Sequence, residues 1–154
     1  MNTLRRLCLA SFSLAALAAC SMTKPPPGLD VRLSRPSEHG LYIVSIRPLM
    51  ATPKMNTIHA WEVAVTDSAG APVRDAKITF SGGMPAHNHG YPTQPRVTGS
   101  AGEGRYRLDG VKFSMSGWWT MVIAVQAAAG SDQVTFNTIV APDGAPLLAG
   151  VYPQ

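Results

Sequence analysis

Two stretches of this chain place a large side chain at every second position. His59, Trp61, Val63 and Val65 alternate with small or polar neighbours along 58–66, and Trp119, Met121, Ile123 and Val125 repeat the spacing further on. A period of two puts each set on one face of a strand, so each stretch must find a core on one side only. No 11-residue stretch holds a clean helical period instead. The 13 prolines and 14 glycines cut the chain into short segments. Further strand signals lie at Leu41–Arg47, at Ala76–Ser81 bounded by Gly82-Gly83, weakly at Arg96–Thr98, at Gly104–Leu108 ended by Asp109-Gly110, and at Gln133–Val140. Turns are expected at Asp67–Gly70 and Ala127–Ser131. Short strands at regular spacing predict an all-β antiparallel sandwich.

The first 19 residues do not belong to that fold. Arg5 and Arg6 precede an apolar run from Leu7 to Leu17 that is too short to span a bilayer as a helix. Leu17-Ala18-Ala19-Cys20 then resembles the lipobox of bacterial lipoproteins, which implies cleavage before Cys20 and lipidation of that cysteine. Residues 1–19 are thus read as a signal peptide. Residues 20–28, with Pro25-Pro26-Pro27, read as a lipidated cysteine and a stiff extended spacer, and 29–154 as the domain. Ser21 follows the cysteine where an Asp would imply retention at the inner membrane. In a Gram-negative cell this implies an outer-membrane lipoprotein facing the periplasm.

Removing the leader also changes the charge. The 13 Lys+Arg lose Arg5 and Arg6 while the 9 Asp+Glu remain, so the mature chain is only mildly positive and carries no dense basic run. Nucleic acid is not an expected partner. Cys8 leaves with the leader and Cys20 carries lipid, so no thiol or disulfide is left for the domain. No nucleophile elbow, phosphate-cradling loop or His-Glu-x-x-His motif occurs, and the few acidic residues sit mostly in turns. The chain is not expected to be an enzyme.

What remains is Met84-Pro-Ala-His87-Asn-His89-Gly90, with Gly-Gly before it and Pro92 and Pro95 after it. In extended backbone His87 and His89 would face the same way, about 6.5–7 Å apart at Cα. Met84 adds a thioether, and Met115 supplies a second from Phe113-Ser-Met-Ser-Gly-Trp-Trp119. If successive strands run antiparallel, the connections 48–57, 82–95 and 110–117 share one end of the sandwich. Met84, His87, His89 and Met115 would then converge there, with His59 just inside as a reserve ligand. His59 also shares a face with Trp61 and Val63, which favours a buried, hydrogen-bonded strand-end residue over a ligand. Thioethers bind without deprotonation and select Cu(I), while imidazole accepts Cu(I), Cu(II) and Zn. A Met/His set without cysteine therefore points to copper, with Cu(I) favoured and Cu(II) open.

The order of several short motifs is similar to that of YtkA-like and FixH-like domains. Trp61–Val65, Asp67-Ser-Ala-Gly-Ala-Pro72-Val73 and Asp75-Ala76 match a strand–turn–strand pattern. Met84-Pro85, His89-Gly90, Gly104-Arg-Tyr106 and Met115-Ser-Gly-Trp-Trp119 follow in the family's order, over about Leu41 to Val125. The resemblance implies an Ig-like β-sandwich outside the cytoplasm, associated with copper handling or respiratory-oxidase assembly. Family members often carry a further Met in the loop, where this chain has Ala86 and Asn88. The resulting expectation is a lipid-anchored envelope protein that binds copper for trafficking, sequestration or oxidase assembly. Its partners would be the membrane, through Cys20, and copper-handling or oxidase-assembly proteins. The alternative is a metal-free sandwich acting as a protein-interaction module of the envelope.

Overall fold

A computed structural model describes residues 25–50, 53–141 and the backbone of 146–147. The element order is β1 (Ser34–Pro36), β2 (Tyr42–Pro48), β3 (His59–Asp67), β4 (Lys77–Met84), one 3-10 turn (Pro85–His87), β5 (His89–Gly90), β6 (Arg96–Gly102), β7 (Arg105–Val111), β8 (Gly117–Ala127), β9 (Gly130–Val140) and β10 (Pro146–Leu147). One sheet runs β1-β2-β3-β7-β6 and the other β10-β9-β8-β4-β5, with every pairing antiparallel. The two sheets pack as an Ig-like sandwich.

The period-two pattern does what the sequence requires of it. Trp61, Val63 and Val65 from β3 and Trp119, Met121, Ile123 and Val125 from β8 are buried together between the sheets. Tyr42, Val44 and Ile46 of β2 and Val134 and Phe136 of β9 complete the alternation on the flanking strands. The turn after β3 is fixed locally, because Asp67 Oδ1 accepts the N–H groups of Ala69 and Ala71 at 2.9 and 2.8 Å.

Several boundaries differ from the sequence reading. β4 runs through Gly82-Gly83 to Met84, and β7 runs through Asp109-Gly110 to Val111. Glycine ends strands through its conformational freedom, but cross-strand bonds to β8 and β3 hold these segments in the ladder. β6 extends to Gly102, with register shifts along its pairing to β7. The hairpin after β8 is tighter than expected, with Ala127 paired to Gly130. β1 has no sequence signal of its own, because Pro36 and the charged Arg35 hide a three-residue edge strand. Of the expected spacer, residues 25–28 are described, and Pro27-Gly28 form a turn. Cys20 lies outside the described residues.

Strand direction decides which loops meet. β2 and β3 are joined at one end by the 49–58 connection, and β4, β6, β7 and β8 bring 85–95 and 112–116 to that same end. Contacts confirm the placement. Asn56 N–H donates to Phe113 O at 2.8 Å, Thr93 Oγ1 donates to Gly110 O at 2.6 Å, and the Tyr91 ring lies 6.0 Å from that of Phe113. At the opposite end Tyr42 Oη donates to Gly130 O at 2.7 Å, and Tyr106 Oη donates to Val73 O at 2.6 Å.

Candidate functional site

The His/Met segment is a tight hairpin built on two glycines. A Cβ at Gly82 would lie 2.2 Å from Thr120 O, and one at Gly83 would lie 2.2 Å from His89 O. Only glycine lets β8 on one side and β5 on the other approach this closely. Met84 then pairs with His89, and Gly83 with Gly90. Between them Pro85 opens the 3-10 turn and Asn88 takes the left-handed conformation (φ 51°, ψ 40°) that reverses the chain.

This corrects the expected extended geometry of His87-x-His89. His87 sits in the 3-10 turn and His89 in β5, with a left-handed residue between them. Pro85, with its fixed φ, favours the turn, and Asn tolerates αL better than other non-glycine residues. The two imidazoles still face each other, with ring centroids 5.9 Å apart and planes inclined by 35°. Both residues are exposed. His89 Nδ1 lies 2.9 Å from Gly90 O. A carbonyl can only accept, so Nδ1 carries the proton and Nε2 presents its lone pair. Ligating histidines are commonly oriented in this way, by donating the other ring N–H to a backbone carbonyl.

Beside His89 lies a surface groove of about 320 Å³, lined by Gly82, Gly83, Met84, Pro85, Asn88, His89, Gly90 and Thr120. Met84 reaches it from the core side. It is 1% exposed, and its methyl group fills the space where a Cβ on Gly117 would sit, 3.0 Å away. The floor next to His89 is aromatic. Trp119 meets His89 edge-on at 5.7 Å, and Tyr91 meets Trp119 at 5.0 Å. Burial and the surrounding apolar rings push the Tyr91 hydroxyl well above its ordinary pKa, so it stays a neutral donor, to Thr120 O.

The other two sequence candidates stand differently. Met115 is exposed on the 112–116 connection, and its carbonyl accepts the Trp119 indole N–H at 3.1 Å. Trp119 is therefore the link between Met115 and His89. His59 is 1% exposed, with the Phe113 ring 5.7 Å away and Trp119 beyond it. All its polar contacts run through Nε2, to Lys54 O at 2.7 Å, Thr57 Oγ1 at 2.8 Å and Lys54 N–H at 3.1 Å, and Nδ1 is buried without a hydrogen-bond partner. Burial depresses the His59 pKa below its ordinary value and keeps the ring neutral. The structure thus joins His87 to His89 and Met84 to the groove of His89. It brings Met115 to the same end through Trp119, and sets His59 apart behind Phe113.

The sequence reading assigned Trp119 to the core, where it lies, and gave Tyr91 no role, yet Trp119 also packs edge-on against His89 and Tyr91 packs against Trp119. The alternation of β8 marked Trp119 as inward, but no sequence pattern shows that its edge reaches a loop from another strand pair. Among the described residues, no three His, Cys, Asp or Glu side chains gather as a metal-binding group. A metal here would rest on two imidazoles and thioether sulfur.

No curated protein and no solved structure matches the chain. The family model described as YtkA-like matches residues 41–124, from the start of β2 into β8, and so covers the Gly-Gly hairpin, both histidines, Met84 and Met115. On that match, over more than half of its length, the chain belongs to the YtkA-like family.

Proposed function

We propose that this protein is a lipid-anchored cell-envelope protein that binds copper at the His87/His89 hairpin and passes it on or sequesters it. The observation that carries the reading is the facing imidazole pair. A nitrogen ligand at about 2.0–2.1 Å places its ring centre about 3 Å from the metal. Two rings sharing one ion therefore stand between about 5 Å apart in tetrahedral and about 6.4 Å in linear ligation, and these stand at 5.9 Å. The Gly90 carbonyl fixes the His89 tautomer that leaves Nε2 free to ligate.

Met84 supplies one thioether, from a residue that lines the groove of His89. Met115 is the second, an exposed and flexible side chain on the connection whose carbonyl holds the Trp119 indole. Thioethers favour Cu(I), and the imidazoles also accept Cu(II). His59 takes a structural role in this reading, because its Nε2 is spent on Lys54 and Phe113 covers its ring.

Titration of the purified full chain with Cu(I) and with Cu(II) tests the reading. Binding tighter than roughly millimolar, about −4 kcal/mol, is expected for both ions. Weaker binding of both would leave the metal-free interaction module as the better account. The anchor is tested separately. Cys20→Ser should remove the acyl mass and release the protein from membranes or leave an uncleaved precursor.

A further inference from the structure

The two ends of the sandwich carry opposite surfaces. At the histidine end, the connections 49–58, 85–95 and 112–116 contain Lys54 and Lys112 and no acidic residue; the entering segment adds Asp30, paired with Arg32 and Arg35, and the sequence after β9 adds Asp143. At the other end, the connections 37–41, 68–76 and 103–104 contain Glu38, Asp75 and Glu103 against Arg74. Exposed apolar side chains follow the same division. Leu49, Met50, Ile58 and Met115 lie at the histidine end, with Ile58 66% exposed; of the large exposed hydrophobics described, Ile43 alone lies elsewhere. The bond from Asn56 N–H to Phe113 O joins the loop of Ile58 to the loop of Met115.

The chain also enters the domain from this end. β1 runs antiparallel to β2, with Ser34 opposite Ser45 and Pro36 opposite Ile43. Leu33 O accepts from Ile46 N–H, and Asp30 O accepts the Asn137 side-chain amide at 2.9 Å. Asn137 pairs with Thr120, which in turn pairs with Gly83. Residue 30 therefore lies level with the base of the histidine hairpin. Cys20 stands only ten residues earlier in the chain, separated from residue 30 by a proline run and a turn.

From these three features we infer that the histidine end is a membrane-facing surface that rests on an anionic phospholipid bilayer. Apolar side chains supply insertion, the lysines meet lipid phosphates, and the acidic end is held away by the same field. A tether entering at this end keeps the surface within reach of the bilayer. The inference rests on the anchored reading for the tether but not for the surface chemistry. Copper bound at His87 and His89 would then exchange at the bilayer rather than toward the open compartment.

Hydrogen exchange of the full chain, on vesicles with and without phosphatidylglycerol, tests the inference. Phosphatidylglycerol should slow exchange several-fold in 49–58 and 112–116 and leave 68–76 and 128–129 unchanged. Lys54→Glu with Lys112→Glu should abolish that protection, since each basic residue near an anionic surface contributes about fivefold in membrane affinity. Protection at both ends, at the acidic end alone, or at neither overturns the inference. Protection of the histidine end that ignores phosphatidylglycerol points to a protein partner and also overturns it. If mass spectrometry finds no acyl group on Cys20, the anchored reading fails. The same exchange pattern, measured on chain added to preformed vesicles, then decides the surface by itself.

Discussion

Histidine occurs at both ends of this sandwich, and its surroundings differ. At the far end His39 bonds through Nδ1 to Asp132 at 3.0 Å. The Asp132 carboxylate also accepts backbone N–H groups of His39, Leu41 and Gln133. That cluster clamps the β1–β2 turn onto β9. At the near end His89 makes one bond, to a carbonyl, and turns its other nitrogen outward beside His87. Both rings are held through Nδ1, by a carboxylate at the far end and by a carbonyl at the near end, and both leave Nε2 free. What sets the near end apart is the second imidazole of His87 beside His89. The difference lies in the neighbours supplied by the fold, not in the residue type.

Replacing both near-end histidines should have the largest effect on binding. His87→Ala with His89→Ala should lower Cu(II) affinity by about a hundredfold or more, as expected for losing two metal ligands, and leave the melting temperature almost unchanged. The check is parallel titration and thermal unfolding. A variant that still binds Cu(II) like the wild type would remove the pair from the site.

Gly83→Ala attacks the near end through its backbone. The added Cβ would meet His89 O at 2.2 Å, so β5 must shift. A destabilisation of about 2 kcal/mol or more is expected, together with weaker copper binding. Denaturant unfolding reads the first and titration the second. Unchanged values for both would mean that the hairpin is looser than its pairing shows.

Asp132→Asn tests the far end and should cost about 1–3 kcal/mol of stability while leaving copper affinity alone. Burial by itself would raise the Asp132 pKa. Hydrogen bonds from Ser37, His39 and the N–H groups of Gln133 and Leu41 outweigh that and hold it well below the usual carboxylate range. The folded pKa thus lies below the unfolded value of about 3.9. The stabilisation is complete above that value and is lost as pH falls through the folded pKa. Stability of the wild type should therefore drop more steeply with acid than that of Asp132→Asn. Parallel acid-unfolding curves would show that the clamp contributes nothing.

Met115→Leu gives the smallest effect. It conserves volume and apolarity at an exposed position, so folding stability should change by less than about 1 kcal/mol. Cu(I) affinity should fall several-fold while Cu(II) affinity barely moves. Equal loss for both ions would argue that Met115 acts on the loop and not as a sulfur ligand.

The sequence by itself determined the architecture and the end of the molecule at which its chemistry gathers. Alternation in 58–66 and along β8 can be satisfied only by strands with one buried face, and antiparallel succession then sorts the loops by parity. Met84, His87, His89 and Met115 were placed together on that ground alone, and their shared end survives because the unforeseen β1 precedes the first strand counted. Local conformation was less legible. Spacing suggests an extended His87-x-His89, but Pro85 and Asn88 bend the backbone, and the rings meet through a hairpin closed by Gly82 and Gly83. For His59 the inward strand position favours a buried, hydrogen-bonded residue, and the structure buries it, but the position alone does not show what covers the ring. Only the packing of Phe113 against it, and of Trp119 against Phe113, separated it from the pair. Those contacts join residues far apart in the chain. Strand periodicity fixes which face a side chain occupies, but not which ring from another strand comes to rest against it.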